Sequence, residues 1–267
     1  MTKNLQTLLF ILAFVGLNGQ NLQKKSLEIP ELSADNVSIN GILDEAVWAS
    51  SARIRELDKY FPEAVPTPEG IRSDVRIFYT QEGIYFAGTF EDDRAPILSQ
   101  LTPRDRINAN TDWIHIILNP FNDGANDFNF YLSAAGVQGD SRATGAGSED
   151  GSWNAVWWSA VIKEENFWSF EMYIPYQVLR IPQGSSGAEA PVWGFNIKRS
   201  IRSDRTMYSW NPIDRNFNNE SLQSGVLKGI NVINPPLRIS LRPNTTVSFL
   251  QNGKDQGRYT GAAGADI

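Results

Sequence analysis

The sequence predicts an all-β fold, an antiparallel β-sandwich of jelly-roll type with a few short helical turns. Three observations carry that expectation. Short runs dense in β-branched and aromatic residues recur between turn signals. Helical periodicity survives only in fragments, around Asp44–Trp48, Ile97–Leu101 and Tyr176–Leu179. With 21 Gly, 14 Pro, 8 Trp and 14 Phe in 267 residues, the composition is that of a turn-rich, aromatic-rich β protein.

The first residues stand apart from the fold. Lys3 precedes the apolar run Leu8–Leu17, which is too short to span a bilayer, and Gly19 offers a small residue for cleavage. Residues 1–19 therefore read as a secretory signal peptide, and the protein as exported to the cell envelope, either periplasm or outer membrane. Residues 20–29 follow as a linker. The chain has no cysteine, so no disulfide staples the fold and burial must hold it. Its formal net charge of −6 argues against a nucleic-acid partner, which calls for a basic face.

The stretch INGILDEAVW at 39–48 is the first structured signal. Val37 and Ile39 suggest a short strand, which Asn40-Gly41 ends by supplying a turn with positive φ. Asp44 is placed to cap one helical turn with its carboxylate, and Val47 and Trp48 roll an apolar face back onto a core. Strands are then expected at 74–80, 84–91, 113–119, 127–133, 156–163, 167–174, 192–200 and 223–230. Gln81-Glu82-Gly83 and Asn122-Asp123-Gly124 supply hairpin turns between the first two pairs. Alternation within 167–174 sends Trp168, Phe170, Met172 and Ile174 to the core, and Ser169 and Glu171 to the other side. Residues 184–190 (GSSGAEA) read as a flexible loop.

Asn234-Pro235-Pro236 is a rigid punctuation that closes the sandwich, setting its bounds at 30–235. Residues 237–250 alternate apolar and polar side chains as the strands of membrane β-barrels do, and 264–267 begin another such strand. A strand left with nothing to pair against is an unfavourable ending, so 236–267 read as the start of a truncated outer-membrane barrel.

The motif at 39–48 resembles the D/N-G-x-L-D-E-x-x-W signature of the family 9 carbohydrate-binding modules. Further segments resemble the same domain where it precedes an uncharacterised outer-membrane β-barrel family. They are 73–79 with Gly83-Ile84-Tyr85, Glu91-Asp92-Asp93, 102–106 (TPRDR), 136–140 (GVQGD), 152–157 (SWNAVW), 168–180 with Ile174-Pro175, and 193–196 (WGFN) with Arg199. The resemblance implies a sandwich that binds a polysaccharide or oligosaccharide, in some members with calcium. It also implies an association with xylanases and related glycosidases, and so with polysaccharide catabolism. The two-tryptophan sugar clamp of the family finds no residue-by-residue match here.

Sugars stack their C–H faces on aromatic rings and take hydrogen bonds from Asp, Asn, Gln and Arg. Of Trp153, Trp157 and Trp158, the last shares parity with Val156 and Ile162, and that apolar company assigns it to the core. Trp153 and Trp157 are then the candidate ligand platform, against the blander reading that both are edge packing. Trp48, Trp168 and Trp193 sit in apolar alternation and belong inside. Asp92 and Asp93, at a strand end beside Glu91, are candidate ligands for a hard cation, calcium being the one implied, although a solvated charge run explains them more simply. Asp123 and Asp127 around Gly124 belong to a hairpin turn. His115 is the chain's only histidine and alternates with Trp113 and Ile117, which suits mid-strand packing. Nucleophilic and zinc chemistry need partners that it lacks in the sequence. Glycoside hydrolysis needs two facing carboxylates, and nothing singles out a pair among 30 acidic residues. Gly136-Val137-Gln138-Gly139 has no helix after it and is not a phosphate loop. The expected protein is thus an exported sugar-binding sandwich, itself non-catalytic and needing no cofactor. The alternatives are a part of a glycosidase acting on O-glycosyl bonds and a structural periplasmic domain of a transporter barrel.

Overall fold

The computed structural model of the protein describes residues 24–144, 148–182, 191–231, 242–250 and 257–266. Its strands in chain order are β1 (Ser26–Glu28), β2 (Ala52–Ile54), β3 (Asp58–Phe61), β4 (Ile71–Tyr79), β5 (Gly83–Asp92), β6 (Trp113–Asn119), β7 (Asn126–Ser133) and β8 (Gln138–Thr144). They continue with β9 (Ser148–Asp150), β10 (Trp158–Lys163), β11 (Phe167–Pro175), β12 (Trp193–Ile201), β13 (Thr206–Ser209), β14 (Gly225–Lys228), β15 (Arg242–Leu250) and β16 (Arg258–Asp266). One helical turn, α1 (Val47–Ser50), precedes β2, and 3-10 turns occupy Tyr176–Val178 and Ser221–Gln223. The expected signal peptide, the loop at 184–190 and the punctuation at 234–236 lie outside the described residues.

Two sheets form the sandwich. The larger runs β1-β14-β12-β6-β7-β8-β9, with β13 pairing both β12 and β3, and the smaller runs β10-β11-β5-β4-β2. The pairing of β1 with β14 is parallel, Ser26 opposite Val226 and Glu28 opposite Lys228. Period-two alternation sets the inner faces. Val75, Ile77, Ile84, Phe86, Phe90, Trp168, Phe170, Met172 and Ile174 from the smaller sheet meet Ile114, Ile116, Leu118, Phe128, Phe130, Trp193 and Phe195 from the larger. Phe86 and Phe195 stack between the sheets at 6.2 Å. Burying each such side chain contributes roughly 1.5–3 kcal/mol, which is how a chain without disulfides can hold this fold. At Gly88 a side chain would meet the Phe170 ring at 2.8 Å, so the core packs onto bare backbone there.

The outer face of the smaller sheet is covered by the opening motif. Trp48 is fully buried, edge-on to Phe78 at 5.0 Å, within a second apolar cluster that Leu32, Ala34, Val37, Leu43 and Tyr85 flank. Glu171 lies beneath this layer, also fully buried. Its Oε2 accepts the backbone N–H groups of Asn40 (2.8 Å) and Gly41 (2.9 Å), and its Oε1 accepts the Trp48 indole N–H (3.0 Å). Burial pushes the Glu171 carboxyl above its ordinary pKa despite those bonds. Gly41 has φ +87°, and a side chain there would touch the Val161 backbone at 3.0 Å, so glycine is required on both counts.

Several expectations need correction. Val37 and Ile39 form no strand, because that segment lies across the sheet as an irregular cover: Val37 N–H turns back to the Ala34 carbonyl, and the Ser38 and Asn40 N–H groups go to the Glu45 and Glu171 side chains. Asp44 does not cap α1. Ala46 holds the cap position with no side-chain bond, and Glu45 instead accepts the Ser38 N–H (2.9 Å) and the Trp48 indole (3.1 Å). Residues 97–101 are irregular, not helical, since Ser99 forms an isolated antiparallel bridge to Thr111, a contact that periodicity cannot reveal.

Trp157 and Trp158 exchange their expected places. Trp157 is only 4% exposed and Trp158 is 48% exposed, with Val156 and Ile162 also out. Strand β10 begins at Trp158, so strand parity does not reach back through 152–157. The apolar company of Trp158 faces the outer side of the smaller sheet rather than the core. There Trp158, Tyr173, Tyr85 and Phe78 are direct cross-strand partners, with ring centroids 5.6, 4.5 and 4.8 Å apart. At the other end of the chain, the strand expected to begin at 264 instead starts at Arg258 and pairs with β15, Phe249 opposite Tyr259. These two strands form a hairpin of their own.

Candidate functional site

The outward face of the larger sheet is polar along its middle. On β6 His115 and Ile117 point out, on β7 Asp127 and Asn129, on β8 Ala143, and on β12 Asn196 and Lys198. A wall from the 213–224 segment, including Ile213, Glu220 and Ser221, encloses them in a cavity of about 340 Å³. Ala143 stands between Asp127 and Glu149 on adjacent strands, and its small side chain leaves the floor open.

A hydrogen-bond chain crosses this floor. His115 Nε2 meets Asn129 Oδ1 at 3.0 Å, and Asn129 Nδ2 donates to Ser141 Oγ at 3.1 Å. Ser141 Oγ donates to Glu149 Oε2 at 3.2 Å, and the Tyr131 hydroxyl donates to Glu149 Oε1 at 3.3 Å. The imidazole stacks on the Tyr131 ring at 3.9 Å. Burial, aided by nearby Lys198, holds the His115 pKa well below its ordinary value, so the ring is neutral at physiological pH. With Asn129 taking the Nε2 proton, Nδ1 is left as an acceptor. Lys198 pairs with Glu220 at the rim. Asp127 accepts Ser221 Oγ (2.5 Å) and Asn119 Nδ2 (3.0 Å), while burial raises its pKa. Donors and acceptors thus alternate around a half-open cavity. A polyhydroxy ligand, each of whose hydroxyls both donates and accepts, complements such a lining.

Trp153 and Trp157 lie elsewhere, against the inner face of β7. Trp157 is edge-on to Phe130 at 5.7 Å, and half-buried Trp153 is edge-on to Phe128 at 5.4 Å and Phe130 at 5.9 Å. Asp140 fixes them. Its Oδ1 accepts the Ala155 N–H (2.8 Å), its Oδ2 accepts the Trp157 indole N–H (3.1 Å), and Arg104 pairs with it while donating to the Ala155 carbonyl at 3.0 Å. Segments 102–106, 136–140 and 152–157, far apart in sequence, therefore meet in one node. Stacking a ligand on Trp157 would require that ring to leave its packing.

Asp92 and Asp93 diverge. Asp92 is buried and held by Arg94 through bonds of 2.9 Å to each oxygen, whereas Asp93 is exposed and bonded to Arg72 at 2.8 and 2.9 Å. Burial pulls the Asp92 pKa up, but the Arg94 bonds more than offset it and leave it below the ordinary value. A cation here would have to displace both guanidinium groups. Among the described residues, no grouping of three or more His, Cys, Asp or Glu is arranged to hold a metal.

Sequence reasoning missed Asn129, Glu149, Lys198 and Glu220, and treated His115 as packing. The available signal was a polar outward row on β7 (Asp127, Asn129, Tyr131) beside apolar inward neighbours.

No protein-family model matches the chain. No curated protein matches it either. Among solved structures it is similar to a family 9 carbohydrate-binding module from Caldicellulosiruptor kristjanssonii in complex with cellotriose, at 13% identity and a TM-score of 0.53, over 81% of this chain and 100% of that one. The module in complex with glucose gives 12% identity and a TM-score of 0.54, over 76% and 95%. A candidate carbohydrate-binding protein from Bacteroides uniformis is similar at 17% identity and a TM-score of 0.56, over 76% and 98%. The fold of this chain is that of the family 9 carbohydrate-binding modules.

Proposed function

We propose that the sandwich is a non-catalytic carbohydrate-binding domain that takes a neutral oligosaccharide or polysaccharide in the cavity over β6, β7 and β8. The observation that carries this reading is the hydrogen-bond chain from His115 through Asn129 and Ser141 to Glu149, which lines a cavity open to solvent. The neighbouring folds were solved with glucose and with cellotriose, which supports the ligand class. Isothermal titration against xylan, cellulose and chitin oligomers tests it. Glu149→Ala and Asn129→Ala are each expected to weaken binding about tenfold, the effect of losing one strong hydrogen bond. Weakening by Trp153→Ala with Glu149→Ala unaffected would move the site to the tryptophan pair. Silence of the wild type with every oligomer would favour a structural role.

We further propose that β15 and β16 belong to an outer-membrane barrel, and that the protein is exported to the cell envelope. Val247, Phe249 and Tyr259 share one face of the hairpin and are 50–72% exposed, an apolar face that lipid would cover. Residues 20–234 alone are expected to run as a soluble monomer in size-exclusion chromatography. The chain extended to residue 267 should aggregate unless detergent is present. Identical behaviour of the two without detergent would count against the barrel.

A further inference from the structure

We infer that the protein carries a second ligand site, selective for an anionic sugar ring, in a cavity of about 290 Å³ on the opposite side of β7 from the first. Its lining is Phe121, Asp123, Asn126, Phe128, Arg142 and Arg180. Phe128 packs inward while Asp127 beside it faces the other cavity, so one strand separates the two.

The charge of the second cavity is what distinguishes it. Arg142 is the cross-strand partner of Phe128 and holds its guanidinium 5.2 Å from that ring's centroid. Neither Arg142 nor Arg180 forms a salt bridge among the described residues, whereas Arg53, Arg72, Arg94 and Arg104 are each paired with carboxylates. The one acid in the cavity offsets only one of the two charges, and Asp150, opposite Arg142 on β9, draws on that guanidinium without forming a salt bridge to it. Asp123 spends its oxygens on the Ala125 and Asn126 N–H groups (2.9 and 3.0 Å) and on the Asn119 and Asn126 amides (3.0 and 2.6 Å). Burial opposes its ionisation, but these bonds together bring its pKa down to about 2.

The lining thus sets two guanidinium forks against one ionised carboxylate, an excess of one positive charge in a chain of net charge −6. A guanidinium recognises a carboxylate or sulfate through paired N–H bonds. Phe121, 43% exposed at the rim, offers an apolar surface for the C–H face of a sugar ring. The combination fits a uronic acid or a sulfated sugar better than a bare anion, and better than the neutral sugar proposed for the first cavity. That cavity carries Asp127, Glu149 and Glu220 against Lys198 and would repel an acid.

Titration calorimetry of the intact protein at fixed ionic strength tests this with four probes: trigalacturonate, a sulfated disaccharide, cellotriose and sodium sulfate. At least one acidic sugar is expected to bind. Arg142→Gln and Arg180→Gln should each weaken that binding about tenfold, while Glu149→Ala leaves it unchanged. Arg180 is exposed, so its variant remains informative even if Arg142→Gln is destabilised. Failure of both acidic sugars to bind would overturn the inference and leave the first site untouched. So would binding indifferent to both arginine variants, or full competition by sodium sulfate, which would reduce the cavity to a simple anion site.

Discussion

Replacing Trp48 by alanine is expected to destabilise the domain by about 3–5 kcal/mol, the range for large aromatic truncations in cores. The side chain is fully buried and edge-on to Phe78, and its indole N–H is shared between Glu171 at 3.0 Å and Glu45 at 3.1 Å. Its removal would open a cavity and also take one donor from a carboxylate that burial already disfavours. Trp48→Phe separates the two effects: it keeps most of the volume, loses the N–H, and should cost about 1–3 kcal/mol. Denaturant melts measure both. A loss below about 1 kcal/mol for the alanine variant would mean that the covering layer folds without this anchor.

Asp140→Ala should have a comparable effect at the node that joins segments 102–106, 136–140 and 152–157. The Asp140 side chain is completely buried, and its loss would strand the Ala155 N–H, the Trp157 indole and the Arg104 guanidinium. Removing one partner of a buried charged pair costs about 3–5 kcal/mol. Arg104 keeps 38% of its side chain in solvent and can rehydrate, which favours the lower part of that range. Residues 152–157 have no regular structure of their own, so limited proteolysis should detect their release. An unchanged melting midpoint together with an unchanged cleavage pattern would falsify the structural role given to this node.

The fold was largely legible where one physical signal dominated. Strand β6 matches its expected bounds of 113–119, and β11 extends the expected 167–174 by one residue, because alternating or continuous apolar runs of that length admit few other structures. Strand β8 was invisible for the opposite reason. Its sequence, QGDSRAT, is polar on both faces: Ser141 joins the hydrogen-bond chain outside, and Asp140 anchors the node inside. Short strands such as β2, β3 and β13 carry too few residues to set a period. Trp157 misled because local parity was extended through coil. Of the candidate site, only His115 and Asp127 had drawn notice: the burial of His115 on a strand was read correctly, whereas Asp127, read as part of a hairpin turn, lies on β7 and faces the cavity. The cavity around it depends on partners such as Asn129, Glu149, Lys198 and Glu220, which reach it through sheet pairing and a long connection. Spacing along one chain carries no trace of that assembly.

The parallel pairing of β1 with β14 determines how the domain would carry tension. One end of the described sandwich enters at Lys24, before β1, and the other leaves at Asn231, after β14, so a pull on these ends draws the two strands past each other lengthwise. The bonds from Val226 N to Lys25 O (2.9 Å) and from Ile29 N to Lys228 O (3.0 Å) would be loaded together in shear, not opened one after another like a zip. Flanking segments can thus transmit force through the clamped terminal strands while the sheet faces that line both cavities stay out of the load path.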